Sequence, residues 1–466
     1  MTVFSGISSL KQVDFYSVIR YYYIGIPIKE CLERIMTISN LIKNILYENN
    51  LNQNEFALKI DSTQAQVSDW LNEKSKPSYD KLRNIGKVFK IDGNQLLDLT
   101  ENISNPMDNS TLKVVDLFAG VGGLSYGFAN NPRFQVVLAN EYDKDIAKAY
   151  SLNHPNVKML NCDIKEVTAE MLKQEIDCSI DIVIGGPPCQ SYSTLGKRQN
   201  DDRAHLFEEY CRILKILKPK MFLFENVTGI LSMNKGQLFE DVKKCFEDIG
   251  YDLKYKTLNS ADYGVPEFRE RVILVGTKNK NNFEYPLPTH GEKEGLKPYV
   301  TLEDALSDLP CMASGEENKI YASEPTNDFQ KFVHDCKELK DNLSPKNGEH
   351  LIKLMKALPD GGSKEDLPEE LRPKSGFGNT YAKMWWKKPA PTITRNFACP
   401  SSSRCIHPRD SRGLSTREGA RLQSFPDSYK FYGSTGMKNL QIGNAVPPLL
   451  SVALAKQVEK YFATKK

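Results

Sequence analysis

Apolar positions in residues 37–100 recur at helical spacing. Leu41, Ile42, Ile45 and Leu46 share one face of a stretch from Asn40 to Tyr47. Asn52 is placed to cap a second helix, with Glu55 three residues later as its capping-box partner, and that helix would bury Phe56, Ala57 and Ile60. Asp61-Ser62 reads as a tight turn. Thr63 would start a third helix burying Val67 and Trp70, and Pro77-Ser78 a fourth over Leu82, Ile85 and Phe89. The polar, proline-containing stretch 102–111 reads as a linker. Beyond it the period changes. KVVDLF (113–118), QVVLANE (135–141), IDIVIGG (180–186) and KMFLFEN (220–226) are short apolar runs separated by helical stretches. That alternation predicts a parallel, doubly wound α/β sheet. From about residue 283 to 410 the rhythm is lost in a stretch rich in Pro, Lys, Glu and Gly, which predicts an irregular second lobe. A helix from Pro448 to Phe462 restores order.

Length and composition narrow the class. At roughly 150 residues per domain, the 466 residues predict about three domains. The 62 basic and 59 acidic residues leave a net charge of +3, which excludes a histone-like polycation, so any DNA contact must come from local surfaces. The ten cysteines form no CxxC pair, the closest being Cys399 and Cys405, and with six histidines they show no zinc-ligand spacing. Buried thiols in a reducing compartment are expected of them. The N-terminus lacks a signal-peptide pattern, and the run Tyr21 to Ile28 is too short to span a bilayer. The expectation is a cytoplasmic protein with neither a membrane partner nor a metal.

Four segments carry chemistry. DLFAGVGGLS (116–125) ends an apolar strand in glycines, which let a backbone approach a nucleotide closely. Glu141 ends the next strand, where an acid can bind ribose hydroxyls, and Asp163 follows a third apolar-to-polar transition. The turn lacks GxGxxG, which favours a nucleoside cofactor without a pyrophosphate. In GGPPCQSYS (185–193), Cys189 follows a strand in a polar, proline-stiffened loop, the setting of a nucleophile rather than of a core thiol. In FLFENV (222–227), Glu225 follows a buried run. Desolvation would raise its pKa and suit it to proton donation, the alternative being a helix-capping network through Asn226. In GVPEFRERV (264–272), Arg269 and Arg271 alternate on one side of an extended segment, fit for a base edge or a phosphate. The alternative is a surface salt bridge to Glu267 or Glu270.

In this order, and followed by RGLSTREGARLQSFPD (412–427) and QIGNAVPP (441–448), the segments resemble the C5-cytosine DNA methyltransferases over roughly residues 112–466. The resemblance implies S-adenosylmethionine as methyl donor, with no metal. Its site would be lined by Asp116, Phe118, Gly120, Gly123, Glu141, Tyr142, Asp163, Ile164, Pro188, Asn444 and Val446. Cys189 would be the nucleophile, Glu225 the acid that protonates the base, and Arg271 the contact to the cytosine carbonyl, with Arg269 supporting Glu225. A thiolate adding at C6 makes C5 nucleophilic toward a sulfonium methyl, and the base must be flipped out of the duplex for this. The loop 191–205 has a Gly196 hinge, and its Ser193, Lys197, Arg198 and Arg203 would grip DNA. Two positions depart from the family pattern. Glu267 stands where glutamine is usual and bears on loop packing, and Ser415 stands where threonine is usual. The variable stretch would be the target-recognition lobe, where MWWKKPAPTITRNF (384–397) interleaves Trp385 and Trp386 with Lys387, Lys388 and Arg395. One tryptophan is expected in the core.

Residues 52–78 resemble the phage-repressor type of helix-turn-helix. Gln64, Gln66, Ser68 and Asp69 would face a major groove and Gln53 a phosphate. Asp61 replaces the usual turn glycine, and residues 37–100 carry eight basic and eight acidic residues, so nonspecific affinity should be low. The predicted division is an unassigned segment 1–36, a helix-turn-helix domain 37–100, a linker 101–111, a catalytic domain 112–282, a target-recognition domain 283–410 and closing motifs 411–466. The fold class is a doubly wound, Rossmann-like methyltransferase domain with a smaller irregular lobe and an all-α N-terminal domain. The expected activity is methylation of cytosine C5 in duplex DNA within a restriction–modification system. The alternative is an RNA (tRNA) cytosine-5 methyltransferase. Operator DNA is a second expected partner, with a monomer acting in methylation and a dimer forming through the N-terminal domain.

Overall fold

The computed structural model describes residues 38–49, 51–72, scattered positions from 74 to 89, 111–188, 206–374 and 379–464. The chain divides into two units between Asn109 and Ser110.

The first unit contains α1 (Ile38–Glu48), α2 (Gln53–Lys59) and α3 (Gln64–Leu71). Asn52 and Glu55 close a reciprocal capping box on α2, and Thr63 and Gln66 another on α3, so both helices start where side chains satisfy their orphan N–H groups. Leu41, Ile42, Ile45, Phe56, Ala57, Ile60, Val67, Trp70 and Ile85 form the core, with Phe89 stacked on Phe56 at 5.4 Å. Asp61 adopts the left-handed conformation (φ 56°) that its turn requires, which aspartate tolerates better than most residues. The placement of Leu82 lies outside the described residues.

The second unit is built on β1 (Leu112–Leu117), α4 (Gly123–Ala129), β2 (Phe134–Asn140), α5 (Lys144–Asn153), β3 (Lys158–Leu160), α6 (Ala169–Glu175), β4 (Ile182–Gly185), α7 (Leu206–Leu217), β5 (Met221–Val227), α8 (Gln237–Glu247), β6 (Asp252–Asn259) and β7 (Glu270–Thr277). The strand order is β3-β2-β1-β4-β5-β7-β6. Alternation along the strands sends Val115, Leu117, Phe222 and Phe224 to one face, against α7 and α8. It sends Val114, Ile182, Ile184 and Leu223 to the other, against α4 and the C-terminal helix.

The sheet is not wholly parallel, which corrects the expectation. β1 to β5 run parallel, but β7 lies antiparallel between β5 and β6. The chain from β6 to β7 makes a local turn through residues 260–269 rather than a helical crossover, and a local turn can only reverse direction.

The irregular lobe carries α9 (Leu302–Leu306), α10 (Asp328–Val333), α11 (Glu349–Ala357) and a two-stranded ladder of β8 (Ala382–Lys383) and β9 (Arg404–Ile406). It is followed by α12 (Thr416–Leu422), α13 (Thr435–Asn444) and α14 (Pro448–Thr464). With so little regular structure, the lobe is held by three fully buried arginines. Arg421 lies between Asp308 (Nη2–Oδ2 2.9 Å) and Asp427 (Nε–Oδ1 2.9 Å). Arg412 forks onto Glu418 at 2.7 Å, and Arg417 donates to the carbonyls of Lys340, Pro426 and Tyr429. Neither Trp385 nor Trp386 is fully buried, contrary to expectation: Arg404 stacks on Trp385 at 4.2 Å, and Trp386 only edges the core.

The expectation of buried thiols also needs correction. Of the described cysteines only Cys211 and Cys405 are buried, and Cys311 and Cys399 are exposed. Cys162, Cys178 and Cys245 pack at the margin of the first core, where a small side chain seals the edge without being enclosed. Among the described residues no helix is long and apolar enough to cross a membrane.

Replacing Arg421 with alanine would strand two buried carboxylates. The expected cost is about 3–5 kcal/mol, read as a lower urea midpoint.

Candidate active site

The carboxyl ends of β1, β2, β4 and β5 open on one cleft of about 900 Å³. Parallel strands gather loops at that edge, so ligands collect there. The first wall is the glycine turn. Phe118 and Gly120 both have φ of 56° and Gly122 93°, so the chain turns sharply before α4 begins. A Cβ on Gly120 would meet nothing within 4 Å, so that residue faces open space. A Cβ on Gly123 would lie 2.1 Å from the Val446 carbonyl oxygen, which makes glycine a condition of the close approach of residues 445–446.

Asp116 lies at the floor. Its Oδ2 accepts from Ser125 Oγ at 2.6 Å, and its Oδ1 has no hydrogen-bond partner among the described residues. Burial pushes its carboxyl up to about 7, against the lowering effect of the Ser125 bond. Glu141 accepts from the Gly120 N–H at 2.9 Å and the Asp143 N–H at 3.0 Å, and burial raises its pKa. An ionised carboxylate has about four lone-pair sites, so capacity remains for a ligand. Asn161 holds the Glu141 and Tyr142 carbonyls, leaving the Tyr142 ring 74% exposed at the rim. Asp163 accepts from the Lys165 N–H at 3.0 Å. All eleven residues named for the cofactor line this cleft.

Sequence reasoning missed the support behind the turn. Tyr429 donates to the Val121 carbonyl at 2.7 Å and lies 3.2 Å from His154 Nε2. Burial lowers the His154 pKa to about 4, so the ring is neutral there. Neither residue stands in a motif that spacing could flag as facing the glycine turn.

The second wall holds Glu225 and Arg271, paired at 2.9 Å (Oε1–Nε). Burial raises the Glu225 pKa, opposed by the guanidinium groups of Arg271 and Arg269. The capping alternative does not describe Glu225. Asn226 instead turns its amide to the Pro187 carbonyl at 3.0 Å, fixing the chain just before Cys189. Gly186, also unflagged by the sequence, faces Glu225: a Cβ there would lie 2.5 Å from Oε2.

Arg269 and Arg271 have different tasks. Arg269 is fully buried, and of the two alternatives the salt bridge to Glu267 holds for it, in the interior rather than at the surface (3.3 Å). It also donates to the carbonyls of Ile393, Gly443 and Ala445. Its bearing on Glu225 is through space, with no hydrogen bond between them. Glu267 accepts from the Ile393 N–H at 2.5 Å, so its effect reaches beyond loop packing to the joint with the second lobe.

Cys189, Ser193, Lys197, Arg198 and Arg203 lie outside the described residues. Arg395 is exposed on the lobe and is not among the residues that line the cleft, although its backbone packs against Gly443, which is. In the first unit Gln64 donates to Gln53 at 3.2 Å, Gln66 is engaged in capping α3, and Ser68 is half-buried. His407, Asp410 and Glu418 bring potential metal ligands within 4.8 Å of one another, but Arg412 already supplies the cation to both carboxylates.

The family of C-5 cytosine-specific DNA methylases matches residues 112–460, and a helix-turn-helix family matches residues 42–96. The chain belongs to the C-5 cytosine-specific DNA methylase family. It is therefore a methyltransferase acting on cytosine C5 in DNA, which sets aside the RNA alternative. Among similar proteins, the Type II methyltransferase M1.HphI of Haemophilus parahaemolyticus is 34% identical over 355 residues, covering 75% of this chain and 87% of that protein. Type II methyltransferase M.DdeI of Desulfomicrobium norvegicum is 36% identical over 376 residues (75% and 89%). Type II methyltransferase M.Sau96I of Staphylococcus aureus is 31% identical over 460 residues (91% and 97%). A solved E. coli structure, described as a DNA modification methyltransferase encoded within a prophage, superposes with TM-score 0.60 at 26% identity, covering 75% of this chain and 99% of that one.

Gly186→Ala should displace the Glu225 carboxylate from Arg271. Methyl transfer is expected to fall about 100-fold in a radiolabel assay while the thermal midpoint stays near that of the unaltered protein.

Proposed function

We propose that the protein is the modification enzyme of a Type II restriction–modification system, methylating C5 of a cytosine flipped out of a specific duplex sequence. The observation that carries this reading is the meeting, in one cleft, of the nucleoside-type wall at Asp116, Glu141 and Asp163 with the Glu225–Arg271 pair. The Type II designation of the relatives supports the biological setting.

The cleft fits S-adenosylmethionine. The unpartnered Asp116 Oδ1 and the open space before Gly120 leave polar and steric room for it. Glu141 would accept from the ribose hydroxyls and Asp163 from the adenine amine. Tyr142 and Ile164 would cover the ring, with Phe118, Gly120, Gly123, Pro188, Asn444 and Val446 completing the enclosure. When bound, this group supplies an electrophilic methyl carbon on a positively charged sulfur.

The protein's own residues prepare the base. The Cys189 thiolate forms a bond to C6, and the electron pair of the C5–C6 double bond shifts toward C5 as the ring loses aromaticity. Glu225 donates its proton to N3, where charge develops, and Arg271 orients that carboxyl and holds the base carbonyl. Once C5 carries the methyl group, loss of the C5 proton to solvent expels the Cys189 thiolate from C6, and N3 returns its proton to Glu225, which restores the aromatic ring. Asn226 serves the step indirectly by fixing Pro187, two residues before the nucleophile. Ser193, Lys197, Arg198 and Arg203 would close on phosphates around the extruded base, and Arg395 would contact the duplex from the recognition lobe.

A second role is favoured by the helical unit, whose two capping boxes hold α2 and α3 in a helix-turn-helix arrangement with Gln64 and Gln66 exposed. It would dimerise on operator DNA and repress the gene, while methylation needs only a monomer.

Cys189→Ser is expected to abolish methyl transfer to duplex DNA with the circular dichroism spectrum unchanged, and full activity would refute the mechanism. Glu225→Gln should cost about 10²–10⁴-fold in transfer rate. Footprinting of the full chain on DNA upstream of its gene should reveal one protected operator, and no protection would rule out the regulatory role.

A further inference from the structure

Two buried ion pairs stand end to end beside the reacting base position. Glu267 and Arg269 are fully buried and paired at 3.3 Å, and Arg271 and Glu225 are nearly so, paired at 2.9 Å. With all four ionised, the cluster carries no net charge. Without the charge of Glu267 it would carry +1, and burial of Glu267 and Arg269 leaves that charge poorly screened.

The position of Glu267 does not by itself demand a carboxylate. Its one strong backbone duty, accepting from the Ile393 N–H, could be met by a neutral amide oxygen. Its other oxygen, Oε2, has no hydrogen-bond partner among the described residues, and neither has Arg269 Nε. The remaining donors of Arg269 are taken by the carbonyls of Ile393, Gly443 and Ala445. Burial pushes the Glu267 pKa up while the guanidinium groups of Arg269 and Arg271 pull it down, and what the ionised carboxylate adds at this position is negative charge beside Arg269.

Arg269 and Arg271 alternate on one extended segment, which sets the Glu267–Arg269 pair beside the Glu225–Arg271 pair. Arg269 acts on Glu225 through space, and Glu267 is the nearest acid opposing Arg269. Among the described residues, the charged groups that bear on Glu225 are Arg271 and Arg269, and those that bear on Glu267 are again Arg269 and Arg271. The segments around Ile393 and 443–445 meet Arg269 through their backbone carbonyls.

We propose that Glu267 is a positioning residue for the base-protonating acid: by offsetting the charge of Arg269 it lets Glu225 keep its proton to a higher pH than it would beside an unopposed guanidinium. The inference rests on the reading of Glu225 as proton donor. A donor of this kind is competent below its own pKa, so transfer should fall as pH rises through that value. Removing the negative charge of Glu267 strengthens the pull of Arg269 and moves that fall to lower pH.

The test is the pH profile of kcat/KM for methyl transfer to duplex DNA by the full chain. Glu267→Gln keeps the size and the Ile393 acceptor, and its alkaline limb should move down by on the order of one pH unit. Glu267→Asp keeps the charge but not the reach. It should lose activity with its alkaline limb still at the position of the unaltered enzyme. An unmoved limb in Glu267→Gln, or an equal shift in both variants, would overturn the proposal in favour of a purely structural role. Glu225→Gln separates the two layers. Undiminished transfer there refutes the reading of Glu225 itself, whereas lost transfer there with an unmoved limb in Glu267→Gln refutes only the role of Glu267.

Discussion

The site depends on one buried guanidinium. Burying a charge costs several kcal/mol per ion unless partners meet it, and Arg269 is met by one carboxylate and three carbonyls. Those partners lie on segments far apart in the chain: Glu267 before β7, Ile393 in the second lobe, and Gly443 and Ala445 at the end of α13. A single side chain therefore fixes the sheet edge, the lobe and the C-terminal wall of the cleft to one another. Burial lowers its pKa to about 10, so it stays charged at neutral pH.

The close approach of the C-terminal segment to the glycine turn follows from that anchoring. Val446 can lie against Gly123 only because no Cβ intervenes. A few residues on, Ser451 accepts from the Gly127 N–H at 2.9 Å and donates to the Leu124 carbonyl, which ties α14 to α4. The cleft is thus walled by the first and last parts of the catalytic unit. The antiparallel β7 supplies the third component, since its register places Arg271 opposite Val227, two residues from Glu225 on β5.

Much of this was legible in the sequence. The capping pair Asn52/Glu55 and the helix start at Thr63 are local, as are the alternating strands and the glycine turn, and local rules govern them. The eleven residues named for the cofactor wall fall on one cleft because parallel strands deliver their carboxyl ends to one edge. What could not be read was pairing over distance. Tyr429 and His154 are 275 residues apart, and the Arg421–Asp308 contact spans 113. No spacing rule links such positions. The mixture of four arginines and three acids in 408–427 gives no sign of burial, yet Arg412, Arg417 and Arg421 are fully buried in the lobe.

By itself, then, the sequence determined the kinds of element and the chemical groups at the sheet edge, because hydrophobic period, caps and glycine turns act over a few residues. The tertiary structure alone decided how identical side chains divide their labour. Arg269 and Arg271 are two residues apart and alike in chemistry, but one is enclosed by carbonyls from three segments while the other faces a carboxylate in an open cleft. Burial and the long-range partners that make it tolerable set that difference, and both arise only when the chain is folded.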